Sequence, residues 1–227
     1  RLNSFYKKVV KYVIKKQKNM PLVEKMGEFH PLLFDIDLKY VKNIDTHQYN
    51  STTIFQIVSF LWFNLSNLLD LEDSKKLSEI WIMEKDKPYP CKGKKYESKD
   101  GIHIFMPNII IRKDTYRKII SYLQEQETIE EIFKETCDSL PSNIDDNTIL
   151  DGCFSGIQPY GCSKEDENYY QLTKVYRVED DIENPIEINE KEFEESYTND
   201  LTIMKKISLM GHTEENIKYK DTLNELL

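Results

Sequence analysis

The chain has 227 residues, of which 39% are hydrophobic and 31% charged. A folded chain of this length buries roughly 70% of its extended surface, enough for a hydrophobic core without disulfide or metal staples. Seven glycines and eight prolines are too few for a collagenous or linker-like polymer, and the apolar content argues against broad disorder. The net charge of -9 is unevenly spread. Residues 1–26 carry eight basic groups against Glu24, a net of +7, whereas residues 165–227 carry seventeen acidic and seven basic groups, a net of -10. A polyanion responds to the local field, so the total charge does not exclude a nucleic-acid partner.

In chain order, FYKKVVKYVIKK places Phe5, Val9, Tyr12 and Val13 on one helical side with lysines around the rest. HPLLFDIDLKY reads as a strand. Thr53 to Leu69 is an unbroken run suited to a buried helix, and its apolar core FQIVSFLWF is less than half the length needed to span a bilayer. No membrane partner is expected. SEIWIMEKD reads as a strand, PYPCKGKKYESKDG as a polar, Lys-rich turn or loop, and GIHIFMPNI as a second strong strand. RKDTYRKIISYLQEQETIEEIFKETC supplies one or two helices, LPSNIDDNTILDGCFSG turns and a short strand, and YYQLTKVYRV a further strand. The acidic tail reads as mainly helical around 190–210. The mixture predicts an α/β (α+β) fold with a mixed or antiparallel sheet, divided into a basic helical segment (1–30), a central core (31–178) and an acidic extension (179–227). Trp62 and Trp81 fall in apolar elements and are assigned to packing. Cys91, Cys137, Cys153 and Cys162 contain no CxxC unit and are expected to be free thiols.

The chemistry concentrates in LFDIDLKY. Strand alternation puts Leu33, Asp35, Asp37 and Lys39 on one face and Phe34, Ile36, Leu38 and Tyr40 on the other. The apolar alternates lock the strand to a helix layer, and two carboxylates project from a rigid sheet. Their like charges oppose one another, so a divalent cation gives the pair a reason to be close. In GIHIFMPNI the alternation places His103 away from the regularly apolar face, beside Gly101, where a missing Cβ permits close ligand approach. There is no GxGxxG or GxxxxGK[ST] loop.

LFDIDLKY, GIHIFMPNI and IDDNTILDGCFSGIQPYGCSK, in that order, resemble the three motif regions of the archaeo-eukaryotic primase superfamily, especially its viral primase-helicase and primase-polymerase branch. The resemblance covers roughly residues 31–178. It implies an archaeo-eukaryotic primase-like fold and template-directed nucleotidyl transfer by a replication primase or primase-polymerase, joining nucleoside triphosphates into an RNA or DNA primer. It implies that Asp35 and Asp37 bind catalytic Mg2+ or Mn2+, that an acidic residue near 146 completes the metal set, and that His103 contacts the nucleotide. Asp146 fits the third position best, ahead of Asp151 and Asp145. In PYGCSK, Lys164 would neutralise the triphosphate and Ser163 orient it, with Gly161 giving a tight backbone approach. Many relatives have Arg where this chain has Gln158, so one charge contact is missing. Lys92, Lys94, Lys95 and Lys99 are candidate phosphate contacts, with a solvated loop as their plain reading. The implied partners are a single-stranded DNA template, nucleoside triphosphates, and a fused helicase domain or replisome proteins; the implied location is viral replication sites in host cytoplasm. Two other classes share the clustered acids: a metal-dependent nuclease and a non-catalytic nucleic-acid-binding replication module.

Overall fold

The computed structural model describes residues 1–16, 20–71, 79–91, 93, 95–144, 148–163, 168–178 and 185–226. Helix α1 (Leu2–Val9) runs directly into a π-helical turn (Val10–Ile14). Its buried stripe is Tyr6, Val9, Val10 and Val13, so the apolar side differs from the one read in sequence: Phe5 and Tyr12 face out. Both patterns have helical spacing. Tyr6 wins a core position because its hydroxyl finds a buried partner in Ser208 Oγ.

Strand β1 (Phe29–Tyr40) is the centre of the molecule. Phe34, Ile36, Leu38 and Tyr40 are buried and share one core with Ile57, Leu61, Trp62 and Leu65 of α2 (Ser51–Leu68). Asn50 caps that helix: its side chain accepts from the Thr52 and Thr53 amides, and Thr53 Oγ1 accepts from the Asn50 amide. Strand β2 (Glu79–Glu84), the two-residue β3 (Tyr89–Pro90) and β4 (Ser98–Arg112) follow. The Lys-rich stretch is therefore not wholly a loop. β3 pairs with the start of β4, and Ser98 and Asp100 are buried.

The long helical stretch after β4 is two helices, α3 (Lys113–Gln124) and α4 (Thr128–Thr136), separated where Glu127 takes a left-handed φ of 54°. Then come β5 (Leu150–Asp151), β6 (Gln171–Arg177), β7 (Ile186–Glu187), α5 (Glu190–Ser196), α6 (Asp200–Ile207) and α7 (Asp221–Leu226). The sheet order is β5-β1-β4-β2-β6-β7, with β3 beside β4, and every pairing is antiparallel. The fold is thus α+β, with a seven-stranded antiparallel sheet flanked by helices. The residues after 178 join this body: β7 extends the sheet, and α6 packs against α1 and β4. All four cysteines are free thiols, and both tryptophans are buried.

Candidate active site

The antiparallel register brings the candidate residues together. Asp35 of β1 lies opposite His103 of β4 on one side and opposite Asp151 of β5 on the other, and Asp37 lies opposite Gly101. His103 Nε2 is 3.4 Å from Asp35 Oδ1. Cys153, just beyond β5, points its thiol at Asp35 Oδ2 at 3.7 Å. Asp37 is held by two cations, Lys39 Nζ at 3.0 Å and Lys99 Nζ at 3.5 Å from Oδ2. Thus Lys99, one of the four candidate loop lysines, turns toward the acids. Lys95 lies over the Tyr96 ring at 5.0 Å, and Lys92 and Lys94 fall outside the described residues.

The backbone around Asp37 is fixed by a side chain that sequence reasoning missed. Asn143 is fully buried; its Nδ2 donates to Asp37 O at 2.9 Å and its Oδ1 accepts from Lys39 N at 2.9 Å. It imitates a neighbouring strand at the edge where β5 ends, completing backbone groups that burial would otherwise leave unpaired. Gln124 Nε2 of α3 donates to Leu150 O at 2.7 Å and fixes β5 from the other direction. The Asp145–Asn147 stretch, including the candidate Asp146, lies outside the described residues, as does Lys164. Of the three candidate third acids, Asp151 is the one that the described sheet carries next to Asp35.

Electrostatics reflect this crowding. Burial, then the charges of Asp37 and Asp151, push the Asp35 carboxyl up to about 7. Burial and Asp37 also raise Asp151. Burial, with Lys85 nearby, pushes the His103 imidazole down to about 3, so its contact with Asp35 is that of a neutral ring rather than an ion pair. Asp35 and Asp151 thus repel further negative charge but would gain from a hard cation, for which carboxylate oxygens are the matching donors. The donor chemistry fits Mg2+ or Mn2+. The donors are not gathered around one point: among the described residues no group of three or more His, Cys, Asp or Glu side chains is close enough to hold an ion. Lys39 and Lys99 both engage Asp37, through its Oδ2.

These residues open onto a cavity of about 460 Å³ whose walls include Asp35, Asp37, Lys85, Lys99, His103 and Tyr170. Tyr170 stacks on His103 with ring centroids 3.6 Å apart and planes 21° from parallel. The small residue at 101 serves this packing. A Cβ on Gly101 would stand 2.7 Å from the Tyr170 hydroxyl and 2.9 Å from Ile36 O, so the space read as open to ligand is filled by Tyr170. Gly161 likewise has a packing reason, with φ +80° and a virtual Cβ 2.6 Å from Ile14 Cγ1. Ser163 is buried outside the cavity wall, and Tyr160 is buried with its ring edge-on to Tyr169. Gln158 does line the cavity, on a loop held by Glu24: Glu24 N donates to Ile157 O at 2.8 Å and Ile157 N to Glu24 O at 3.0 Å. Lys85 and Tyr170 carried no motif signal. Each stands at the end of a strand, where sequence alternation stops reporting which way a side chain turns.

Residues 1–176 match the family described as the C962R protein N-terminal AEP domain, AEP being archaeo-eukaryotic primase. The chain belongs to this primase family. A relative, "Putative helicase 184R" of Invertebrate iridescent virus 6, is 28% identical over 177 residues, which is 71% of this chain. The chain spans 18% of that relative's length. The primase match extends from the basic N-terminal helix into β6, and so includes every strand that carries a site residue described above. No helix among the described residues is long and apolar enough to cross a membrane.

Proposed function

We propose that this primase domain performs template-directed nucleotidyl transfer in viral replication, joining nucleoside triphosphates on a single-stranded DNA template. The observation that supports the reading is the register that puts Asp35, Asp37 and His103 of two adjacent strands into the wall of one cavity, with Asp151 paired beside Asp35 on the next strand. Asp35, Asp37 and a third carboxylate would hold Mg2+ or Mn2+; Asp151, paired opposite Asp35, is a candidate for the third beside Asp146, which lies outside the described residues. When bound, divalent cations supply charge neutralisation for the attacking and leaving oxygens of phosphoryl transfer. The protein's part is to aim carboxylates from a rigid sheet, whose buried reverse face and Asn143 clamp resist displacement. His103, neutral and backed by Tyr170, presents an imidazole suited to hydrogen bonding with a nucleotide phosphate or sugar. Lys164, next to Ser163, would add charge to the triphosphate. The name of the iridescent virus relative, and the small share of it that this chain spans, support a helicase region joined to this domain in the complete protein.

The test is incorporation of labelled NTPs and dNTPs by the purified chain on single-stranded templates, with and without primers, across Mg2+ and Mn2+ concentrations. Metal-dependent extension supports the proposal. Nucleotide-independent degradation would assign the acids to a nuclease, and template binding without turnover to a non-catalytic replication module.

A further inference from the structure

Lys85 follows the last residue of β2, whose register with β4 runs Met83 opposite His103 and Glu84 opposite Ile102. Across the strand order β1-β4-β2 it therefore falls in line with Gly101 and Asp37. Two inter-strand steps separate the Asp37 and Lys85 backbones by about 10 Å. Both residues line the 460 Å³ cavity, as does Tyr170, whose hydroxyl covers Gly101 between them. Lys85 is 3% exposed, an uncommon state for an ammonium. Its Nζ stands 3.5 Å from the centroid of the Tyr89 ring and 5.2 Å from that of Tyr170, so two aromatic faces hold the charge in place. Tyr170 in turn stacks on His103, which makes Lys85, Tyr170 and His103 one packed wall facing the acids. The other described cations of the cavity, Lys99 and its neighbour Lys39, engage Asp37 on the acidic side.

A nucleoside triphosphate is a ligand that demands this polarity: its metal-bound phosphate belongs near carboxylates and its remaining phosphates need a cation beyond them. We propose that Lys85 is a triphosphate-binding residue of this site, contacting the phosphate chain of the incoming nucleotide from the wall opposite Asp35 and Asp37. This rests on the polymerising reading above and deepens it. The Tyr89 and Tyr170 rings pre-position the ammonium, a donor suited to phosphate oxygens. Gln158, on the loop across the same cavity, is neutral and cannot provide that charge.

The experiment is equilibrium binding of ATP, AMP and inorganic tripolyphosphate to the full chain and to its Lys85→Met, Lys85→Gln and Lys85→Arg variants, by calorimetry, with thermal melts to compare folding. A charged hydrogen bond of ordinary strength predicts that Lys85→Met and Lys85→Gln weaken ATP and tripolyphosphate about 10- to 100-fold. AMP should stay within about twofold, and Lys85→Arg should recover most of the loss. In extension assays the KM for nucleotide should rise more than kcat falls. Equal weakening of ATP and AMP, unchanged binding of all three, no measurable ATP or tripolyphosphate binding by the native chain, or a loss confined to single-stranded DNA would each overturn the proposal. Because binding is read without turnover, a native chain that fails to polymerise refutes the reaction assigned above. A triphosphate-selective loss at Lys85 would still be visible in that case.

Discussion

Glu24 offers a sharp structural prediction because one buried carboxylate joins three parts of the chain. Its backbone pairs with Ile157 in the loop that lines the 460 Å³ cavity. Its side chain reaches the end of α6, where Oε1 accepts from Ser208 Oγ at 3.1 Å and Oε2 from Leu209 N at 2.9 Å. Ser208 passes the connection on to the Tyr6 hydroxyl of α1. Replacing Glu24 with Ala strands the Leu209 N–H, in a residue with no exposure, at about 1–3 kcal/mol, and removes a charge-assisted bond from Ser208 worth about 1.5–3 kcal/mol. Relief from burying a carboxylate offsets part of this, because burial has already raised the Glu24 pKa. A net loss of about 2–4 kcal/mol follows, which for a chain of this size lowers Tm by about 4–16 °C. Glu24→Gln keeps acceptor capacity on one oxygen and should lose less than Glu24→Ala.

The pH dependence distinguishes the two variants further. The folded-state pKa of Glu24 is above its ordinary 4.5, so the folded chain holds a proton that the unfolded chain gives up. Its contribution is therefore largest below pH 4.5 and declines as pH rises through the folded pKa, with a slope of at most about 1.4 kcal/mol per pH unit. Glu24→Gln lacks this titration, and its deficit against the native chain should shrink as pH rises. Urea unfolding of the three proteins from pH 4 to 8 measures it. A Glu24→Ala loss below about 0.5 kcal/mol, in the range of ordinary surface changes, would refute the bridge.

Three other outcomes are expected. His30 is fully buried, edge-on to Tyr116 at 5.0 Å, and burial lowers its pKa. The unfolded chain therefore takes up a proton below pH 6.5 that the folded chain refuses, so stability should fall as pH drops from 6.5 toward the folded pKa, and His30→Phe should flatten that fall in urea titrations. Asp151→Asn should cut metal-supported incorporation at least about 100-fold, beyond the usual cost of losing an outer partner, while Asp146→Asn stays milder; the reverse order in matched, folded proteins would return the third ligand to Asp146. Changing Lys7, Lys8, Lys11 and Lys15 to Gln should weaken single-stranded DNA binding and flatten its salt dependence by about 0.7 slope units per lost contact, and an unchanged slope would make these lysines a solvated face.

Much of the sheet was legible because its signal is local. In β1 and β4 the alternation of acids, glycine and histidine against Phe34, Ile36, Leu38, Ile102 and Ile104 states directly which face is buried. Pairing between strands is not local. That Asp151 lies opposite Asp35 depends on how a two-residue strand docks, and a DG turn signal could not reveal it. Buried polar side chains were harder still: Asn143 reads as a turn residue, but its value lies in bonding the backbone of β1 more than a hundred positions away. Lys85 reads as one of many lysines until the fold closes Tyr89 and Tyr170 over it. At the N-terminus two overlapping helical stripes competed, and the polar partner of Tyr6 decided between them.

The central claim is that carboxylates on β1 support metal-dependent joining of nucleotides. The most direct measurement compares labelled nucleotide incorporation by the native chain, Asp35→Asn and Asp37→Asn on a single-stranded template over a Mn2+ titration, at matched concentration and with melting curves confirming folding. The account predicts metal-dependent products from the native chain and nearly none from either variant, since each removes a charge from the cation's donor set with little change in volume. Native-level incorporation by both folded variants would contradict it.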